Sequence, residues 1–143
     1  MINRRQVLQS GLAATSIPLV TAVSLAPLQS AHAKVLAQPA LFRVLFDQRF
    51  AASREFGRGA QWRGLTVQGF NGDITNVWFQ DLHPRWQQGP AAIAGFTAHG
   101  ALFCLERLAW DVGMRVTVRE ERCYDEHEAL YSWVIAPPRT GGV

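Results

Sequence analysis

Apolar positions along the chain fall into short runs separated by turn-forming residues. Leu41 to Phe46 is a compact apolar run that stops at Asp47, the pattern of a buried strand. Ala51 to Trp62 is more polar and compatible with a helix, which Gly64 would close. Leu65 to Phe70 alternates and then breaks at Asn71-Gly72-Asp73, a turn signature. Between Ile74 and Gln88, the residues Ile74, Val77, Trp78, Leu82 and Trp86 recur at helical spacing, with Pro84 placed to bend or end that helix. Ala91 to Phe96 gives a third strand. A helix with Thr97 as N-cap follows, its apolar face being Leu102, Leu105, Leu108, Ala109 and Val112. Arg107 and Asp111 stand four residues apart as a pair on that helix, and Gly113 sits where a helix-terminating glycine belongs. Met114 to Val118 predicts a fourth strand, and Ala129 to Ile135 a fifth, antiparallel to it, across the charged segment Arg119 to Glu128.

Strand and helix thus alternate three times before a terminal hairpin. That order predicts an α/β fold, a small three-layer sandwich with a mostly parallel sheet and a C-terminal β-hairpin, occupying residues 41–143 as a single domain. The rival is an α+β arrangement in which the middle helix is loop. Strand order is not encoded in the pattern.

Composition narrows the function classes. The 143 residues are 48% hydrophobic and 17% charged, enough for one core and unlike a disordered chain. The formal charge of +3 includes Arg4 and Arg5; from Lys34 onward 12 basic residues face 11 acidic ones. A net charge of +1 gives no electrostatic footprint for nucleic acid.

Arg4-Arg5 is followed by Val7-Leu8, a mildly apolar stretch from Gly11 to Pro27, and the small residues Ala31 and Ala33 around His32. This arrangement resembles the bacterial twin-arginine (Tat) export signal, Ser/Thr-Arg-Arg-x-Phe-Leu-Lys, with Asn3, Val7 and Gln9 departing from it. The resemblance implies a cleaved signal peptide over 1–33, a linker at 34–40, passage through the Tat translocase in the folded state, and a periplasmic destination. Pro18, Pro27 and the Ser and Thr residues between them argue against a retained membrane anchor.

Ligands in open α/β sheets bind beyond the carboxyl ends of the strands. Three groups follow the predicted strands: Asp47-Gln48-Arg49, Asn71-Gly72-Asp73 and Thr97-Ala98-His99. Asp47, Asp73 and His99 are the candidates for proton transfer, and Arg49 and Thr97 for ligand binding. Asp, Asn and Thr also favour these positions as turn formers and caps. Ala40 to Gln48, together with Gly95-Phe96-Thr97-Ala98-His99 and Gly113-Met114-Arg115-Val116, resembles the first strand and nucleophile-bearing segment of isochorismatase-like hydrolases. The resemblance places that family's aspartate at Asp47, but its cysteine position holds Ala101, and Lys34, in the linker, is the only lysine. It implies the fold and argues against that reaction.

Cys104, with His99 nearby in sequence, invites a nucleophile reading, but it lies beyond the exposed amides of the helix N-terminus that would lower a thiol pKa. The favoured readings are a structural cysteine buried beside Phe103 and Leu105, or a disulfide with Cys123, which an oxidising compartment would permit. Asp125-Glu126-His127-Glu128 reads as a solvated hairpin tip, because consecutive residues do not converge on one metal ion. Phosphate-loop and nucleophile-elbow motifs are absent. Five tryptophans suit a core, with Trp78 and Trp86 beside Phe79 and Pro84 as an alternative interface. Three functions follow in order: a periplasmic accessory protein that binds a larger partner subunit or a small ligand; a small hydrolase using Asp47, Asp73 and His99; and a carrier of a cofactor whose identity no motif reveals.

Overall fold

The computed structural model describes residues 32–38, 40–125 and 127–139, with residues 123–125 described by backbone alone. Arg4, Arg5 and Ala31, on which the export reading rests, lie outside the described residues. Val35–Val143 forms one compact unit. Val35 and Leu36, read from sequence as linker, are instead buried in its core, as their aliphatic side chains require.

The elements run β1 (Arg43–Asp47), α1 (Ala51–Trp62), β2 (Val67–Phe70), α2 (Thr75–Val77), a π-helical turn (Trp78–Leu82), α3 (His83–Gln87), β3 (Ile93–Ala98), α4 (His99–Trp110), β4 (Arg115–Asp125) and β5 (Glu128–Ala136). The middle segment is therefore helical, with a π turn where the sequence pattern placed a plain helix. Its His83 amide reaches back five residues to the Trp78 carbonyl. The widened register comes just before Pro84, which has no amide hydrogen to continue an α ladder.

The sheet order is β2-β1-β3-β5-β4. β1 pairs in parallel with both β2 and β3, whereas β5 runs antiparallel to both β3 and β4. The sheet is mixed, and its antiparallel ladders are the longer ones, so the expectation of a mostly parallel sheet is corrected. The reason lies in burial. Trp133, Val134 and Ile135 are buried in succession, so β5 needs cover on both faces and takes an interior place beside β3. β4 alternates exposed and half-buried residues over Arg115 to Arg122 and forms the edge.

Helices pack on both faces of this sheet. One apolar cluster holds Val44, Phe56, Ala60, Phe96 and Val134, with α1 as its helix. The other joins Leu45, Ile93 and Trp133 to Val77, Leu82 and Trp86 and to Leu102 and Leu105 of α4. Successive strand residues enter opposite clusters, as the period of two demands.

Trp133 fixes the centre of the second cluster. It pairs across the ladder with Gly95, and a Cβ on Gly95 would lie 2.3 Å from the indole Cζ2. The indole Nε1–H donates to Thr97 Oγ1 at 3.0 Å, so the buried donor is satisfied. Gly95→Ala is therefore expected to displace the indole and destabilise the fold by about 1–3 kcal/mol, the usual cost of overpacking. Urea unfolding checks this, with Trp133→Leu expected to recover part of the loss. A Gly95→Ala variant as stable as the parent would reject the packing account.

Candidate functional site

The chain leaves β1 through α1 to reach β2, then crosses the other face through α2 and α3 to β3. The carboxyl ends of β1 and β3 are thus where the connections diverge, the usual place for a ligand crevice. Here the protein's own side chain fills it. Val44 and Gln48 donate their amides to Thr66 and Phe70, at the β2 side, so the alternate amide of Asp47 faces β3. That amide donates to Ser53 Oγ at 2.7 Å, and the same hydroxyl donates to the Phe96 carbonyl. Ser53, on the buried face of α1 with Phe56, Gly57 and Ala60, is thereby inserted between the two strand ends.

Asp47 is fully buried and closes the crevice further. Its Oδ1 accepts the Arg49 amide at 3.1 Å, and its Oδ2 accepts Arg49 Nη2 at 2.7 Å. The hydrogen bond to Asp47 is the main reason the Arg49 guanidinium, already strongly basic, is pushed further up; the charges of Asp47 and Glu128 act in the same direction. Arg49 also lies over the Phe50 ring, 4.9 Å from its centroid. Gly72, at φ +81°, leaves room for the guanidinium, whose Cζ would stand 3.0 Å from a Cβ there. Two of the three strand-end groups thus meet, as an internal clasp.

The remaining candidates are used locally. Asp73 Oδ1 accepts both the amide of Thr75, at 2.8 Å, and its hydroxyl, which fixes the entry to α2. Thr97 is corrected on both counts. It is buried in β3, the N-cap of α4 is Ala98, and its hydroxyl donates to the Ala98 carbonyl while accepting from Trp133. His99 is exposed, with its ring 6.0 Å from those of Phe103 and Tyr131. No hydrogen bond, ion pair or ring contact among the described residues joins it to Asp47 or Asp73.

On α4, Ala101, Leu102, Leu105 and Ala109 point inward, which turns Cys104 outward as an exposed free thiol; the buried reading is corrected. The side chain of Cys123 lies outside the described residues. Arg107 stacks on the ring of Trp110, 4.4 Å from its centroid, instead of pairing with Asp111. Trp86 and Trp133 are buried, whereas Trp62 and Trp110 are exposed. Among the described residues no group of three metal-ligating side chains occurs.

An open concavity lies along the edge of the parallel ladder, beside β2 and its carboxyl end. It is a groove of about 410 Å³, walled by Gln68 to Asn71 on one side and by Asn76, Val77, Gln80 and Asp81 on the other. Four carboxamides line it, those of Gln68, Asn71, Asn76 and Gln80, each offering two donors and one acceptor oxygen. Asp81 at its far wall accepts Arg43 Nε and Nη2 at 3.1 and 3.3 Å, which ties the π turn to the start of β1. Asp73 has no ion-pair partner among the described residues. Asn71 and Asp73 belong to the strand-end group the sequence singles out after β2; Gln68, Asn76 and Gln80 escape it because carboxamides carry no spacing signature, and the π turn that bears Gln80 has none either. The chain matches no family model, no curated protein and no solved structure.

Two outcomes follow. Ser53→Ala leaves the Asp47 amide and the Phe96 carbonyl buried without their partner, at a cost of about 1–3 kcal/mol in urea unfolding; an unchanged midpoint would reject the bridge. The Asp73 carboxyl is held below its ordinary value, first by the Thr75 hydroxyl and then by the Thr75 amide. A carboxyl lowered in the fold stabilises it above the unfolded-state pKa, and that contribution is lost as pH falls through the lower folded value. Thr75→Val is expected to move the Asp73 titration, followed by carboxyl NMR shifts, back up toward the ordinary value. A titration that stays in place would show that the hydroxyl does not hold the carboxylate.

Proposed function

We propose that this chain is an exported, periplasmic accessory protein that binds a partner or small ligand in the groove beside β2 and performs no catalysis. One observation carries the reading. Where β1 and β3 part, Ser53 bridges the two strand ends and Asp47 is bonded to Arg49, while the carboxamide-lined groove at the β2 edge is open. Hydrolysis by Asp47, Asp73 and His99 would ask for a carboxylate and an imidazole facing one substrate. Asp47 is instead buried against Arg49, and His99 stands among Phe103 and Tyr131. The hydrolase is therefore not the reading we adopt.

The export half of the proposal rests on Arg4-Arg5, the weakly apolar stretch after them, and Ala31-His32-Ala33. No described helix is long and apolar enough to cross a membrane. Small polar sites of this kind recognise by hydrogen bonds, each contributing about 0.5–1.5 kcal/mol net.

Native mass spectrometry of the protein purified from the periplasm of its own host tests both halves. A chain beginning at Lys34, carrying a larger subunit or a bound small molecule, is the expected result. A chain beginning at Met1 would reject export, and a bare monomer would reject the accessory role. Asn76→Ala with Gln80→Ala is expected to weaken the captured complex by roughly tenfold to a hundredfold without changing the melting temperature.

A further inference from the structure

We infer that the occupant of the groove is an extended polypeptide segment of neutral or basic sequence, which adds as a strand to the free edge of β2. This rests on the groove reading above and specifies its ligand. Among the described residues β2 ends the sheet and pairs with β1 alone. Thr66 and Phe70 direct their carbonyls to β1, so the main-chain groups of Val67 and Gly69 face the open edge. An edge with outward amides and carbonyls is a template for another strand, and proteins that do not use it cover it or charge it. Here Gln68 Nε2 caps one of those groups, donating to the Gly69 carbonyl at 2.9 Å. A strand amide can take that place and release the Gln68 carboxamide into the groove.

The facing wall suits the same ligand. Asn76 and Gln80 present carboxamides, which carry the donor and acceptor of a peptide group and so bind main chain without regard to the side chains attached. Phe70 is the one aromatic among the described residues lining the groove, and it is 5% exposed, so none of them lays a ring open for stacking a sugar or a base. Among the described residues no lysine or arginine lines the groove; Asp81 there is paired with Arg43, which leaves Asp73 as its carboxylate without an ion-pair partner among those residues. The charge therefore favours a segment without acidic residues. The four residues of β2 span about 13 Å at 3.3 Å per residue, enough to pair a short segment.

The test is an NMR titration of the full purified chain with a library of capped hexapeptides randomised at every position. A binder is expected to shift the amides of Val67 to Asn71 and Asn76 to Gln80 and to slow exchange at Gly69. Methylating the alternate peptide nitrogens that would face β2 should then weaken binding about tenfold or more. Gln80→Ala should weaken peptides of different sequence alike. Binding that ignores N-methylation, or shifts that fall away from β2, would overturn the strand-addition inference. A parallel panel of small polar compounds separates the two levels: groove shifts with those compounds and none with peptides would overturn this inference and leave the groove reading standing. Shifts with neither would overturn both.

Discussion

A buried serine hydroxyl decides what the rest of this protein can do. Where β1 and β3 part, Ser53 accepts the Asp47 amide and donates to the Phe96 carbonyl, taking the place of the last ladder bond between the strands. Two backbone groups that would otherwise line a crevice are satisfied from within. The Asp47 carboxylate then turns to Arg49, and Arg49 settles over Gly72, so the carboxyl end of the parallel strands is knitted to itself. Stability and the proposed function meet at this point: with the ends of β1 and β3 engaged in cohesion, the proposal places recognition on another surface.

That surface follows from topology. The crossover from β2 to β3 puts α2 and the π turn beside an edge strand, and the Arg43–Asp81 ion pair anchors the turn to β1. The wall bearing Asn76 and Gln80 is therefore held by secondary structure and not by a loop. At the opposite edge β4 is long, and its Arg119 and Arg122 are engaged with Glu106 and Glu120. Charged side chains of this kind discourage strand pairing. The two edges of one sheet are treated differently.

Much of the fold was legible in hydrophobic pattern because each element has its own period. Leu41 to Phe46 and Ala91 to Phe96 read as buried strands; Gly64 and Gly113 take the positive φ that helix ends need. Pattern says little about neighbours, however. That β5 would slip between β3 and β4, turning the sheet mixed, follows from the unbroken burial of Trp133 to Ile135, which a sequence window reads only as a strand. The turn residues were the harder case. Asp73 and Thr97 read from sequence as chemical candidates, and each satisfies nearby backbone. Ser53 did leave a signal, a polar residue three positions before Phe56 on the inward face of α1. The groove left a partial one in Asn71 and Asp73 after β2, while Gln68, Asn76 and Gln80 left none, because carboxamides have no characteristic spacing.

The central claim is that recognition lies at the β2 edge and not where β1 and β3 part. A photo-crosslinking amino acid placed at Gln80, and in a second strain at His99, tests it directly in the native host. Adducts from Gln80 with His99 silent are the result this account requires. Adducts from His99 with Gln80 silent would contradict it and return the binding site to the strand ends.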